Sequence, residues 1–369
     1  MQKGIEQYQG FSFENAPSRA RRIVRAGDVI VSTVRTYLKA VASIHDDKDV
    51  IVSTGFAVIR PKEVDSRFLA YSLANHYFVE MVSSRSTGVS YPAINASAMV
   101  NIKNILPPND IQKCIADYLD RKTEAVDTAI SDKEKLIRLL EEQRTSVICS
   151  AVTKGIDSTA EMKDSGNEWL GYIPSHWRVV PAKALFAQSK EIRHETDAQL
   201  TASQKYGIIS QDDYMERQNY KIVLADKGLE NWKHVEPNDF IISLRSFQGG
   251  LEISYIPGCI TWHYIVLKPK AGVEPEYFKW LFKSPRYIQA LQRTANFIRD
   301  GQDLRFSNFV QVPLPLIPMD EQKEIADYLN KKTARIDSII ADVTEQIKKL
   351  KKYRQSIISA VVTGKVAVG

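Results

Sequence analysis

The sequence has little that would support chemistry of its own. Its 369 residues hold three cysteines, Cys114, Cys149 and Cys259. They are widely spaced and none forms a CxxC pair. That argues against a disulfide framework or a cysteine zinc site and fits a reducing cytoplasm. No apolar run approaches the roughly 18 residues of a membrane span, and the opening "MQKGIEQYQGFSFENAP" has no apolar core of the secretory kind. Glycine-rich phosphate loops, H-E-x-x-H helices and nucleophile elbows are all missing. The six histidines are scattered. His176 beside Trp177 and His263 beside Trp262 read as core or edge residues. The acidic pairs Asp46-Asp47 and Asp212-Asp213 read as solvated turns. No methyltransferase signature is recognisable. With 50 basic and 44 acidic side chains the net charge is +6, which permits a polyanionic partner without requiring one.

Two stretches also lack proline and glycine. They run from Asp110 to about Thr153 and from Asp320 to about Thr363, and they are copies of each other. "IADYLDRKTE" at Ile115 recurs as "IADYLNKKTA" at Ile325, an offset of 210. The offset holds without a gap through Asp127 and Asp337, Arg144 and Arg354, and Ser146 and Ser356. Upstream the likeness fades but keeps its order. "AGDVIVSTVR" from Ala26 answers "PNDFIISLR" from Pro237, and "FAVIRPK" from Phe56 answers "YIVLKPK" from Tyr264. The chain is therefore one unit repeated, each copy a variable globular part followed by a better-matched tail.

Each tail predicts a long helix, with Asp110 and Asp320 where a helix N-terminus favours negative charge. Apolar positions step by three and four. In the first copy they are Val126, Ile130, Ile137, Leu140 and Val147, in register with Lys133, Arg144 and Ala151. In the second they are Ile336, Ile340, Val343, Ile347, Leu350 and Ile357, in register with Arg354 and Val361. This is the seam of a coiled coil. At 1.5 Å per residue each helix would run roughly 60 Å, too long to lie on a small domain. The natural partner of each is the other copy. Because a globular part separates them, an antiparallel pairing is expected. Arg144 and Arg354 fall on the seam. They are expected either to snorkel at a frayed end or to contact a partner or lock the register.

The globular parts read as α+β. "DVIVSTVR", "DVIVSTGFAVIRP", "DFIISLR" and "CITWHYIVLKP" are strand-like and imply a mixed sheet. "SRFLAYSLANHYFVEMVSSRS" and "PEYFKWLFKSPRYIQALQRTA" have helical spacing. The expected layout is a globular part over residues 1–108, a helix over 109–155, a second globular part over 156–318, a helix over 319–364 and a tail over 365–369. The second globular part has an extra opening, "GNEWLGYIPSHWRVVPAKALF" from Gly166. The first copy reaches its equivalent strand at Ala26 without one, so it is expected to lack most of its beginning, through a truncated sequence, a late start codon or a shortened domain.

The polar loops carry base-reading side-chain types, Arg for guanine and Gln or Asn for adenine. The candidates are Arg35, Thr36, Lys39, Arg85, Ser86, Thr87 and Tyr91 in the first copy. In the second they are Arg245, Ser246, Gln248, Arg299, Gln302 and Arg305. The competing reading is that these loops are polar only because they are wet.

The order of parts closely resembles the DNA-specificity subunit of type I restriction–modification systems. The resemblance rests on the helix openings "PPNDIQKCIADYLDRKT" and "PLIPMDEQKEIADYLNKKT". It rests also on the helix ends "LLEEQRTSVICSAVTKG" and "LKKYRQSIISAVVTGK", and on the Trp-containing opening. Two features depart from the family pattern. Ile111-Gln112 stands where the family shows Glu-Gln, kept at Glu321-Gln322, and the first domain has no Trp opening. The resemblance implies a non-catalytic reader with two target-recognition domains, each reading half of a split site in double-stranded DNA. The antiparallel helices would set the gap and dock two modification subunits. Those subunits would bind S-adenosylmethionine and methylate a flipped-out adenine. Restriction subunits using ATP and Mg would join that core. No cofactor, metal or membrane is expected for this chain. The rival expectations are a coiled-coil scaffold that never touches DNA and an enzyme whose site escapes recognition by motif.

Overall fold

In the computed structural model the described residues are 9–45, 50–203, 205–219, 228–243, 246–294 and 304–368. The chain divides into two compact units. One joins Met1–Ile137 to Ala341–Gly369, and the other is Arg138–Ile340. Both long helices are present, Asn109–Lys154 and Met319–Val362. No helix is long and apolar enough to cross a membrane.

Each unit contains a stretch of both long helices. In the first unit Ile115, Ala116 and Leu119 pack against Ile358, Val361 and Val362. Further along, Val126 and Ile130 pack against Val343 and Ile347, with Ile137 and Leu350 at the edge. In the second unit Ile325, Ala326 and Leu329 share a core with Ile148, Ala151 and Val152. These are the same residues of the repeat with the roles of the helices exchanged. Rising numbers on one helix meet falling numbers on the other in both units, so each pairing is antiparallel. Burying each such Ile, Leu or Val contributes about 1.5–3 kcal/mol relative to exposure.

The seam departs from the sequence reading at its ends. Val147 and Ile357 are half-buried, while their neighbours Ile148 and Ile358 are buried. The buried stripe also begins earlier than the heptad count, at Gln112, Ile115 and Leu119 and at Gln322, Ile325 and Leu329. A straight helix turns 3.6 residues per turn rather than 3.5, so its buried stripe drifts from a fixed seven-residue pattern. Ile336, Val343 and Ile347 are buried. Ile340, Leu140, Ile137 and Leu350 are half-buried.

The globular parts share a three-stranded antiparallel motif. In the first unit Val29–Ser32 lies between Val41–Ser43 and Phe56–Ile59. In the second Phe240–Ile242 lies between Glu252–Ile253 and Ile265–Pro269, and Phe186–Gln188 adds a fourth strand. Every ladder among the described strands is antiparallel, and a lone parallel bridge joins Gln199 to Cys259. The turn into each central strand uses a left-handed residue, Gly27 at φ +87° and Asn238 at φ +75°. Glycine and asparagine are the residues that tolerate that conformation.

The helical stretches predicted as single segments are each split in two. Ser66–Ala74 and His76–Ser84 meet at extended Asn75, whose side chain accepts from the Phe78 N–H at 3.0 Å. Pro275–Lys283 and Pro285–Arg293 meet likewise at Ser284. In each case a capping side chain starts the second helix and so ends the first.

The core of the second unit centres on Phe186. Its ring lies 5.1–5.8 Å from those of Phe240, Phe278, Phe282 and Phe309. Phe186 closes the extra opening. That opening also supplies buried Trp177, whose indole N–H points at both Glu321 carboxylate oxygens at 3.0 Å. At the corresponding place in the first copy Ile111 stands 40% exposed. His176, expected in the core or at an edge, is instead exposed and holds Glu321 Oε2 at 2.8 Å.

Candidate nucleic-acid interface

In the first unit a loop following the central strand meets a loop following the second short helix. Val34 bridges Ala93, and Thr87 exchanges two backbone hydrogen bonds with Ala93 at 2.9 Å. This places Arg35, Arg85, Ser86, Thr87 and Tyr91 side by side. The Arg35 guanidinium lies over the exposed Tyr91 ring, 4.8 Å from its centroid. Arg35 and Lys39 both hold left-handed backbone, at φ +50° and +53°. Such strain in residues with side chains costs of order 1 kcal/mol each and recurs at functional sites.

Not every expected reader faces outward. Thr36 is 2% exposed, and its hydroxyl donates to Ser86 Oγ at 2.7 Å. Ser86 in turn donates to the Val82 carbonyl at 2.7 Å. These two side chains tie the loops together and are spent on each other. Lys39 is paired with Glu80.

In the second unit Ser246 is buried and accepts from the Ser243 N–H at 2.9 Å, so it shapes the turn. Gln248 is exposed. Arg245, Arg299 and Gln302 lie outside the described residues. Arg305 opens a short helix, Phe306–Phe309, and lines an open groove of about 680 Å³. Gln188, Lys233, Trp262 and His263 share that groove.

Trp262 and His263 were read from sequence as core or edge residues. They form a turn between the strands Gly258–Ile260 and Ile265–Pro269, and Trp262 is 53% exposed. The two rings stack with centroids 3.5 Å apart. The unbroken apolar look of "CITWHYIVLKP" hid this turn. The missed signal was a Trp-His pair interrupting an otherwise aliphatic run. Lys233 donates to the Tyr264 carbonyl, and burial lowers its pKa below the usual lysine value. The groove thus offers cations, an amide and an aromatic face, the groups that meet phosphates, base edges and unstacked bases.

In each unit the long helix is joined to the globular part through one repeated clamp. Gln112 accepts from the Asp65 N–H at 2.9 Å and donates to the Pro107 carbonyl at 2.8 Å. Gln322 accepts from the Glu274 N–H at 2.8 Å and donates to the Ile317 and Gly272 carbonyls at 2.8 and 2.9 Å. Beside the clamp, the Tyr71 hydroxyl meets Asp120 at 2.8 Å, and the Trp280 indole meets Asn330 at 3.1 Å. Tyr71 is pushed up to about 12, chiefly by burial. Each pair fixes the first head helix on a long helix.

Comparison with known proteins agrees with this architecture. The specificity subunit of the type I restriction enzyme MjaVIII from Methanocaldococcus jannaschii is 24% identical over 83% of this chain and 72% of its own length. The EcoKI specificity subunit from Escherichia coli is 20% identical over 84% of this chain and 68% of its own length. A chain in a solved structure of the type I R-M system shares the fold. Its TM-score is 0.71 at 20% identity, over 94% of this chain and 84% of that one. Residues 19–137 and 174–349 match the family model described as Type I restriction modification DNA specificity domain. The chain therefore belongs to the type I restriction–modification DNA specificity family, and its part is to supply sequence specificity rather than catalysis.

Proposed function

We propose that the two units read the two halves of a bipartite duplex DNA target, and that the paired helices set the gap and dock the modification subunits. One observation carries this reading. The helix pairing is the same in both units, while the exposed loops differ. A shared support with unlike faces suits a split site whose halves have unlike sequences. In the first unit Arg35, Arg85, Thr87 and Tyr91 contact DNA, with Thr36 and Ser86 bracing them and Lys39 at the margin. In the second, Arg305, Gln248, Trp262 and Lys233 line the contact face. Two modification subunits bind the long helices and bring S-adenosylmethionine. Restriction subunits bring ATP and Mg, and the whole acts in the cytoplasm.

The test is binding by this chain assembled with its modification subunits to duplexes carrying the target. Affinity is expected to fall steeply with salt, as phosphate contacts demand. Arg305→Ala and Arg35→Ala should each weaken binding about 5- to 150-fold, the worth of one base-reading arginine. Each should relax the sequence requirement in a different half-site. Salt-independent or absent binding would favour a protein scaffold. Equal relaxation of both halves by either variant would contradict two separate readers.

A further inference from the structure

A cluster of ligating side chains lies in the second unit, apart from the contact loops. The segment after Gln188 runs against the strand Lys233–Val235. Ile192 bridges Lys233, the Arg193 N–H meets the Trp232 carbonyl at 2.9 Å, and the His234 N–H meets the Glu191 carbonyl at 3.1 Å. This brings Glu191, His194 and His234 together, with one ligand atom from each within 4.8 Å of the others. The His194 and His234 rings stack 4.0 Å apart. Glu191 Oε1 lies 3.3 Å from His194 Nε2, while its other oxygen faces Lys268 Nζ at 3.3 Å.

The rest of the cluster resembles the outer shell of a metal site. His234 is buried, and its Nδ1 lies 2.8 Å from Oδ2 of Asp197, itself nearly buried. A carboxylate behind a histidine fixes the ring and raises its basicity as a ligand. The opposite nitrogen, Nε2, lies 2.8 Å from Glu236 Oε1. Two imidazoles with a carboxylate oxygen suit a borderline divalent ion of the zinc class better than calcium or magnesium.

We propose that Glu191, His194 and His234 bind one divalent transition-metal ion, with Asp197 positioning His234 from behind. The ion would staple the segment around His194 to the strand holding His234. Gln188 precedes that segment and Lys233 precedes His234, and both line the groove beside Arg305 and Trp262. Occupancy would therefore stiffen one wall of the groove. The metal site itself does not depend on what the groove binds.

The test is titration of the full chain, free of any affinity tag, with Co²⁺ followed by absorption, then Zn²⁺ in competition with a chromogenic chelator. One equivalent should bind and give the spectrum of a low-coordinate cobalt site. His194→Ala and Glu191→Gln, at exposed positions, should weaken it about 10- to 100-fold while circular dichroism stays unchanged. Asp197→Asn should weaken it by a similar factor, the usual cost of losing an outer-shell partner. His176→Ala should bind like the parent. Failure of the parent to take up an equivalent, or uptake unaltered in both His194→Ala and Glu191→Gln, would overturn the proposal.

Discussion

Arg354 Nε lies 2.8 Å from Asp127 Oδ1, and the repeat makes the same bond again in the other unit, Arg144 Nε to Asp337 Oδ1 at 2.9 Å. Both arginines sit on the seam, yet neither is a buried lone charge. Each reaches across the helix pair to an acid on the partner helix. Lys133 to Gln346 at 2.6 Å and Lys351 to Glu134 at 3.4 Å add to the first pairing. Of the roles open in the sequence, register locking is the one this geometry supports.

The lock should be measurable as a coupling. Asp127→Ala and Arg354→Ala are each expected to cost little, and their coupling in a double-mutant cycle should be about 0.5 kcal/mol, typical of half-exposed pairs. Exchanging the residues, Asp127→Arg with Arg354→Asp, should restore most of the loss caused by Asp127→Arg alone. Urea unfolding of each variant beside the parent would show both. A coupling of zero would leave the register to the apolar seam.

The glutamine clamps should matter far more. Gln322 is 1% exposed and satisfies one N–H and two carbonyls at once. Gln322→Ala would strand those groups in the core, with an expected loss of about 2–4 kcal/mol. Gln322→Glu keeps the acceptor but loses both donors, and should cost nearly as much. Thermal unfolding compared with Gln112→Ala would show whether the clamp is worth the same in both units.

Asp28 and Asp239 occupy one position of the repeat but titrate in opposite directions. The Arg60 guanidinium takes both Asp28 oxygens, at 2.8 and 2.7 Å, and holds its carboxyl below the usual range. At Asp239 burial dominates and raises the pKa, since Lys268 stands 3.7 Å away and is shared with Glu191. Asp28 therefore adds stability above about pH 4, the unfolded carboxylate value, and that contribution disappears as pH falls toward its lowered native pKa. Asp239 adds stability below that value and loses it as pH rises through its raised native pKa. Asp28→Asn should flatten the acid limb of the unfolding curve. Lys268→Arg should move the Asp239 titration downward, which NMR of the carboxyl carbon would follow.

What could be read in advance was what local periodicity encodes. The helices, their antiparallel match, the central strands and the seam arginines all follow from spacing along the chain. What escaped was set by distant neighbours. Thr36 looks like any exposed polar residue until Ser86 meets it from 50 positions away. Trp262 looks like core until the strand breaks into a turn beneath it. Gln112 and Gln322 stand out in the sequence only as part of a motif; their clamping role is hidden because their partners come from a helix start 47 and 48 residues earlier. The cluster around His234 joins two stretches, 191–197 and 234–236, that no short motif spans.

The unit Arg138–Ile340 is one continuous run, whereas the other is assembled from both ends of the chain. On the ribosome, Phe68 and Leu119 must wait with their apolar faces uncovered until Ile358 and Val361 have been synthesised. The run made later can close as soon as it emerges, so the half translated first is expected to mature last. A chaperone would find its preferred client surface on the early half, and truncations near the C-terminus would harm the residues made first.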